Sequence, residues 1–170
     1  MNEDTGRFHC RNCGRCCHNL LSEDLGITRG LTLLPNEVLK FEKGLVKPAI
    51  GHGTSPDDLN FHIIAYQLIK DDCPHFEGNL CKIYESRPVS CHQFPFSLEP
   101  GKHGTVLGVD MNCPSAKALV ESNQTFKFME REWAEKLLLV KMMVSMKPDL
   151  YWFYDLSSCK WIKYSVLVDV

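Results

Sequence analysis

Cys10, Cys13, Cys16 and Cys17 stand in the run C-R-N-C-G-R-C-C, four thiols in eight residues with Gly14 and two arginines between them. This spacing crowds several sulfurs together in any backbone conformation. Thiolates repel one another and oxidise readily, so such a cluster is stable when a metal or an iron–sulfur core neutralises it, or when disulfides consume it. Matching sulfur follows downstream. Cys73 lies in C-P-H-F, Cys81 and Cys91 in C-K-I-Y-E-S-R-P-V-S-C-H-Q-F-P, and Cys113 in N-C-P. These eight cysteines are the candidate metal ligands.

Four thiolates bind tetrahedral zinc and four also hold a cubane iron–sulfur cluster, so ligand chemistry leaves zinc, iron and an iron–sulfur cluster open. Zinc ribbons present two separated C-x2-C knuckles. Here Cys10, Cys13 and Cys16 form one C-x2-C-x2-C run and Cys113-Pro114 is similar to the remote Cys-Pro of bacterial ferredoxins, although no second such run exists. Adjacent Cys16 and Cys17 point apart in an extended chain, which suggests two sites or one bridged site. Eight ligands divide into two sets of four, or into one four-cysteine site and a more open one completed by His75, His92, water or substrate.

Arg87 is the candidate cofactor-binding side chain. A divalent ion with four thiolates carries a net negative charge, and a guanidinium near Cys81 and Cys91 donates to sulfur and offsets it; the plainer alternative is a surface ion pair with Glu85. Histidine beside a metal site more often packs or hydrogen-bonds than ligates, which is the reading for His75, His92 and His18. Cys159, far from both blocks and among aromatics, reads as a buried structural thiol.

The two blocks together, C-x2-C-x2-C-C followed by C-P and C-x-I-Y-x-x-R-P-x-x-C-x-x-F-P, resemble the CxxCxxCC family of zinc- or iron-chelating proteins, from about Phe8 to Pro114. The resemblance implies metal chelation. The same cysteine domain occurs with flagellin lysine N-methylases, so it also implies an alternative, S-adenosylmethionine-dependent methyl transfer to lysine. No G-x-G-x-x-G turn is present to bind that cofactor in a dinucleotide-type fold.

The remaining composition limits the partners. A net charge of −2, from 19 basic and 21 acidic residues, gives no electrostatic footprint for nucleic acid or an anionic membrane. The N-terminal residues are polar and no apolar run is long enough to span a bilayer, so a cytoplasmic location is expected. In a reducing cytosol nine cysteines read as metal-binding rather than as a disulfide framework. G-x-S-x-G and G-x-x-x-x-G-K-[ST] are both absent, which removes support for a serine hydrolase or a phosphate loop.

The expected architecture is one α+β domain over residues 1–170, with a motif core at 8–114, a helical tract at 115–146 and a C-terminal hairpin at 150–168. A short strand ends near Leu34, and a helix begins at Pro35 and stops at Gly44. Residues 47–60 read as a loop or the top of a hairpin, and Phe61 to Ile69 as a strand delivering the chain to Cys73. A tight turn at Glu77 to Asn79 brings Cys73 and Cys81 together, and Pro88 starts a helical turn that carries Cys91. Two strands, 94–98 and 106–109, then lead to Cys113. Ser115 caps a helical tract, with a break near Asn123 and a resumption to Met146, that carries a core-facing stripe of Phe126, Met129, Trp133, Leu137, Val140 and Val144. The final hairpin, Tyr151 to Leu156 and Lys160 to Val168, carries aromatics that either cover the helix or offer a surface to a protein partner, the alternative in which the chain is a module delivering metal or electrons.

Overall fold

The computed structural model describes residues 8–122, 128 and 130–168. Its central element is an antiparallel sheet of five strands in the order β11-β10-β4-β5-β3, made of β3 (Thr32–Leu33), β4 (Val46–His52), β5 (His62–Leu68), β10 (Tyr151–Asp155) and β11 (Lys160–Lys163). The first two strands, β1 (Ser22–Asp24) and β2 (Ile27–Arg29), pair with each other. Along β10 the residues alternate, with Tyr151, Phe153 and Asp155 buried and Trp152 and Tyr154 only half so, the signature of a strand with one face on the core. Ile27, Ala49, Ile50, Ala65, Val144 and Leu167 complete that core.

Strand β4 occupies the first part of the stretch that reads as a loop or hairpin top, and the rest of that stretch connects β4 to its antiparallel partner β5. Two register irregularities, between Pro48 and Ile50 and between Ile50 and Gly51, break the two-residue period that would have disclosed it. Gly51 is required there because the Phe61 ring covers it; a Cβ would lie 2.0 Å from the ring's Cζ. The segment after Pro35 is a 3-10 helix, Pro35–Lys40, not a longer α-helix. Its Glu37 is buried, and the carboxylate accepts from the backbone N–H of Leu34 at 2.8 Å and from that of Val89 at 2.7 Å.

Two small hairpins follow, β6 (Phe76–Glu77) with β7 (Leu80–Cys81), and β8 (Phe96–Gly101) with β9 (Gly104–Val109). In the first, Gly78 and Asn79 both have positive φ, the pattern of a type I′ turn, as the residues of that turn predict. Between the hairpins lies a short helix, α1 (Val89–Gln93), with Pro88 as its N-cap. The helical tract is two helices, α2 (Pro114–Glu121) and α3 (Arg131–Met146). Proline occupies the first turn of α2, so Cys113 rather than Ser115 is the cap.

Of the expected stripe, Leu137 and Val144 are buried and Trp133 and Val140 partly so; Phe126 and Met129 lie outside the described residues. Helix α3 packs on β8 and α1, where Leu98, Ala134 and Leu138 form a second core with Phe128. The final hairpin is shorter than its apolar pattern suggests, because Tyr164–Val168 turns into a helix, α4. Its Tyr151 and Phe153 belong to the core, so much of its aromatic content goes into packing. No helix among the described residues is long and apolar enough to cross a membrane. The whole is an α+β arrangement.

Candidate metal centre

None of the eight candidate ligands sits in the five-stranded sheet. They lie on turns, small hairpins, a helix end and the short helix α1, and these converge on one cavity of about 240 Å³ whose walls include Cys10, Cys13, Cys16, Cys17, Cys73, Cys81, Cys91 and Cys113. The knuckle is a left-handed Gly14 followed by a 3-10 turn, Arg15–Cys17, closed by the Cys17 N–H donating to the Gly14 carbonyl at 2.8 Å. At φ +73° and with the Phe76 ring where its Cβ would stand, only glycine fits at 14.

Backbone hydrogen bonds join the knuckle to the second block. The Cys73 N–H donates to the Cys17 carbonyl at 2.8 Å and the Leu20 N–H to the Asp71 carbonyl at 2.9 Å. The Leu21 N–H donates to the Asp71 carboxylate at 3.0 Å, and His18 Nδ1 meets the Asp72 carboxylate at 2.6 Å. Cys81 sits opposite Phe76 in the β6–β7 hairpin. Cys91 is in the middle of α1, whose start is fixed by Glu37. Arg15 donates to the Asn112 carbonyl at 3.2 Å, which ties the knuckle to the turn before Cys113.

The sulfur electrostatics show how close the thiols are. Cys17 hydrogen-bonds to both Cys16 and Cys73, so its own proton is held tightly and its pKa is driven far up, while theirs fall to about 7 and about 6. Burial, reinforced by the charges of Cys16, Cys73 and Cys81, pushes Cys91 up to about 12, against the pull of Arg87. Cys16, Cys17 and Cys73 thus form one interacting group, and Cys91 feels the charges of Cys16, Cys73 and Cys81. Cys10 and Cys13 are exposed on the cavity rim and Cys113 is buried in its wall. All nine cysteines are free.

Soft thiolate donors in this number fit zinc or iron chemically. Among the described residues, however, no three cysteine, histidine, aspartate or glutamate side chains converge on one ion position. The sulfurs are gathered around a space rather than a point.

Arg87 is at this cavity, and its ion-pair partner is Glu130, not Glu85. Nη2 lies 3.4 Å from the Glu130 carboxylate, Nη1 donates to the Tyr84 carbonyl at 2.6 Å, and the guanidinium stands 4.1 Å above the Tyr84 ring. His92 is buried against Trp133, ring centroids 4.3 Å apart and nearly parallel, with Nδ1 at 3.3 Å from the other Glu130 oxygen. Burial first, then the Arg87 charge, holds His92 below the usual imidazole range. His75 donates through Nε2 to the Lys40 carbonyl at 2.6 Å, which leaves its role in packing against Phe41. Cys159 corrects the sequence reading: it is exposed in the β10–β11 turn at φ +55°, where the tight turn aims its side chain outward. Glu130 is the site residue that the sequence hides, since its spacing places it among charged residues off the apolar stripe.

No curated protein and no solved structure matches the chain. Residues 9–114 match the model of a family described as a "putative zinc- or iron-chelating domain". That span exceeds half of the chain and contains all eight cavity cysteines, and the protein therefore belongs to the CxxCxxCC family.

Proposed function

We propose that the chain binds zinc or iron in the cysteine-lined cavity, with Cys10, Cys13, Cys16, Cys17, Cys73, Cys81, Cys91 and Cys113 as the ligand set. One observation carries this reading: eight thiols from separate stretches of sequence line a single cavity, while the ninth is outside it. A hydrophobic core does not select for sulfur in that way. Binding would neutralise thiolates that otherwise repel, and it displaces protons from those that are still protonated.

Eight thiols are twice the number that one tetrahedral zinc needs, which supports two ions or an iron–sulfur cluster with further ligands over a single closed zinc site. Free thiols in this number fit a reducing compartment such as the cytoplasm. The chain reads as a single metal-binding domain, its cavity walled by turns, hairpins and short helices outside the five-stranded sheet.

Anaerobic purification followed by elemental analysis for zinc, iron and acid-labile sulfide, with a visible spectrum of the same sample, tests the reading. Iron with sulfide and a broad band at about 400 nm, the absorption of sulfur-ligated iron–sulfur cores, identifies a cluster. Colourless protein with stoichiometric zinc identifies the zinc form. A folded chain that takes up neither metal overturns the proposal.

A further inference from the structure

Glu130 lies outside the stretch that matches the family, yet its side chain faces the cavity. It is the N-cap of α3, where its backbone carbonyl accepts from the Trp133 and Ala134 N–H groups while its side chain makes no capping bond, and its two carboxylate oxygens serve other partners: one faces Arg87 at 3.4 Å, the other His92 at 3.3 Å. Those partners flank Cys91 on the same short segment. His92 is also pressed flat on Trp133, one turn along α3, so the C-terminal helix grips this segment through a carboxylate and a ring together. Arg87 is the guanidinium whose charge reaches both Cys16 and Cys91. Whatever holds Arg87 therefore sets both where that positive charge stands and how much of it the sulfurs feel.

We propose that Glu130 is a positioning and charge-setting residue of the metal centre, holding Arg87 and His92 against the cavity wall and subtracting from the positive charge that Arg87 presents to the bound thiolates. This rests on the chelation reading above. With a metal held by thiolates the centre is anionic; Arg87 offsets that charge and Glu130 restores part of it. Such a balance tunes affinity and, for a redox-active core, the ease of reduction. A carboxylate whose only task was to cap α3 would have neither effect.

Cobalt(II) is the probe, because its sulfur-to-metal charge-transfer band reports thiolate ligation directly. The reduced, metal-free full-length chain is titrated with cobalt against a competing chelator as wild type, E130Q, R87Q and the double variant, with the far-ultraviolet circular dichroism of each recorded to verify folding. Glu130 has a side chain 39% exposed, and glutamine preserves its shape, so the fold should survive. E130Q is expected to keep the wild-type stoichiometry, bind cobalt several-fold more tightly and shift the charge-transfer band. R87Q is expected to weaken binding by about 10- to 100-fold, the usual effect of losing a group that supports metal ligands. In the R87Q background the effect of E130Q should shrink, because the two charges act through each other. An E130Q protein indistinguishable from wild type, or an effect of equal size in both backgrounds, overturns the inference alone. A folded wild-type chain that binds no cobalt overturns the chelation reading and this one with it.

Discussion

The backbone N–H of Cys73 donates to the carbonyl of Cys17 at 2.8 Å, so the two cysteine blocks are fastened main chain to main chain, independently of any metal. Around that bond the Leu20, Leu21 and His18 contacts to Asp71 and Asp72 extend the seam. The cavity is in this sense preorganised, and its weak points are the residues that let the knuckle adopt its shape.

Gly14→Ala should be the most damaging single methyl in the knuckle. It combines a left-handed backbone with a Cβ 2.3 Å from Phe76 Cζ, at a cost of about 1–3 kcal/mol for the backbone alone. Reduced metal content per chain and a lower thermal midpoint are expected. Wild-type metal content in the variant would contradict the role given to this turn.

Serine in place of Cys73 or Cys91 should lower bound metal, whereas Cys159→Ser should leave it unchanged, since that thiol is exposed in the β10–β11 turn. Elemental analysis of the three proteins decides the matter. Equal loss in all three, or in none, would dissolve the distinction between cavity and non-cavity sulfur.

Glu37 joins the 3-10 helix after Pro35 to the start of α1 through two backbone N–H groups. Glu37→Ala leaves both donors without their acceptor in a buried place, at about 1–3 kcal/mol for each such group. Because α1 carries Cys91, metal affinity should fall along with stability. A chemical-denaturation curve superimposable on wild type would refute the assignment.

Asp155 supplies a pH dependence remote from the sulfurs. Burial alone would raise its pKa, but hydrogen bonds from Ser158, Thr28 and Ser157 outweigh it and hold the carboxyl well below the usual carboxylate range. A depressed pKa means that its stabilisation is complete above the unfolded value of about 4 and fades as the pH falls further toward the folded one. Asp155→Asn should lower stability at neutral pH by about 1–3 kcal/mol and flatten the acid limb of a stability-against-pH curve. An unaltered acid limb would show that other carboxylates govern it.

The cysteine pattern was legible because metal chemistry constrains residue type and spacing directly, and Arg87 could be placed near Cys91 from the rigid Arg-Pro step alone. The α+β character also followed from local pattern. Strand β4 did not, since Pro48, Gly51 and two bulges erase its period. Cys159 was misjudged because neighbouring aromatics say nothing of which way a tight turn aims a thiol. Glu130 was out of reach for a related reason: its contact with Arg87 and His92 comes from the packing of α3 on α1, a long-range placement that no local spacing records.

The absence of candidate ligands from the five-stranded sheet divides the molecule into a frame and a fitting. The frame has its own apolar core in Ala49, Ile50, Ala65, Tyr151 and Phe153. Stripping the metal should therefore release order locally: amide hydrogens of the cysteine turns would exchange early, and those of β4, β5 and β10 late. That order of exchange would show that the cavity can be emptied and refilled without the chain passing through its unfolded state.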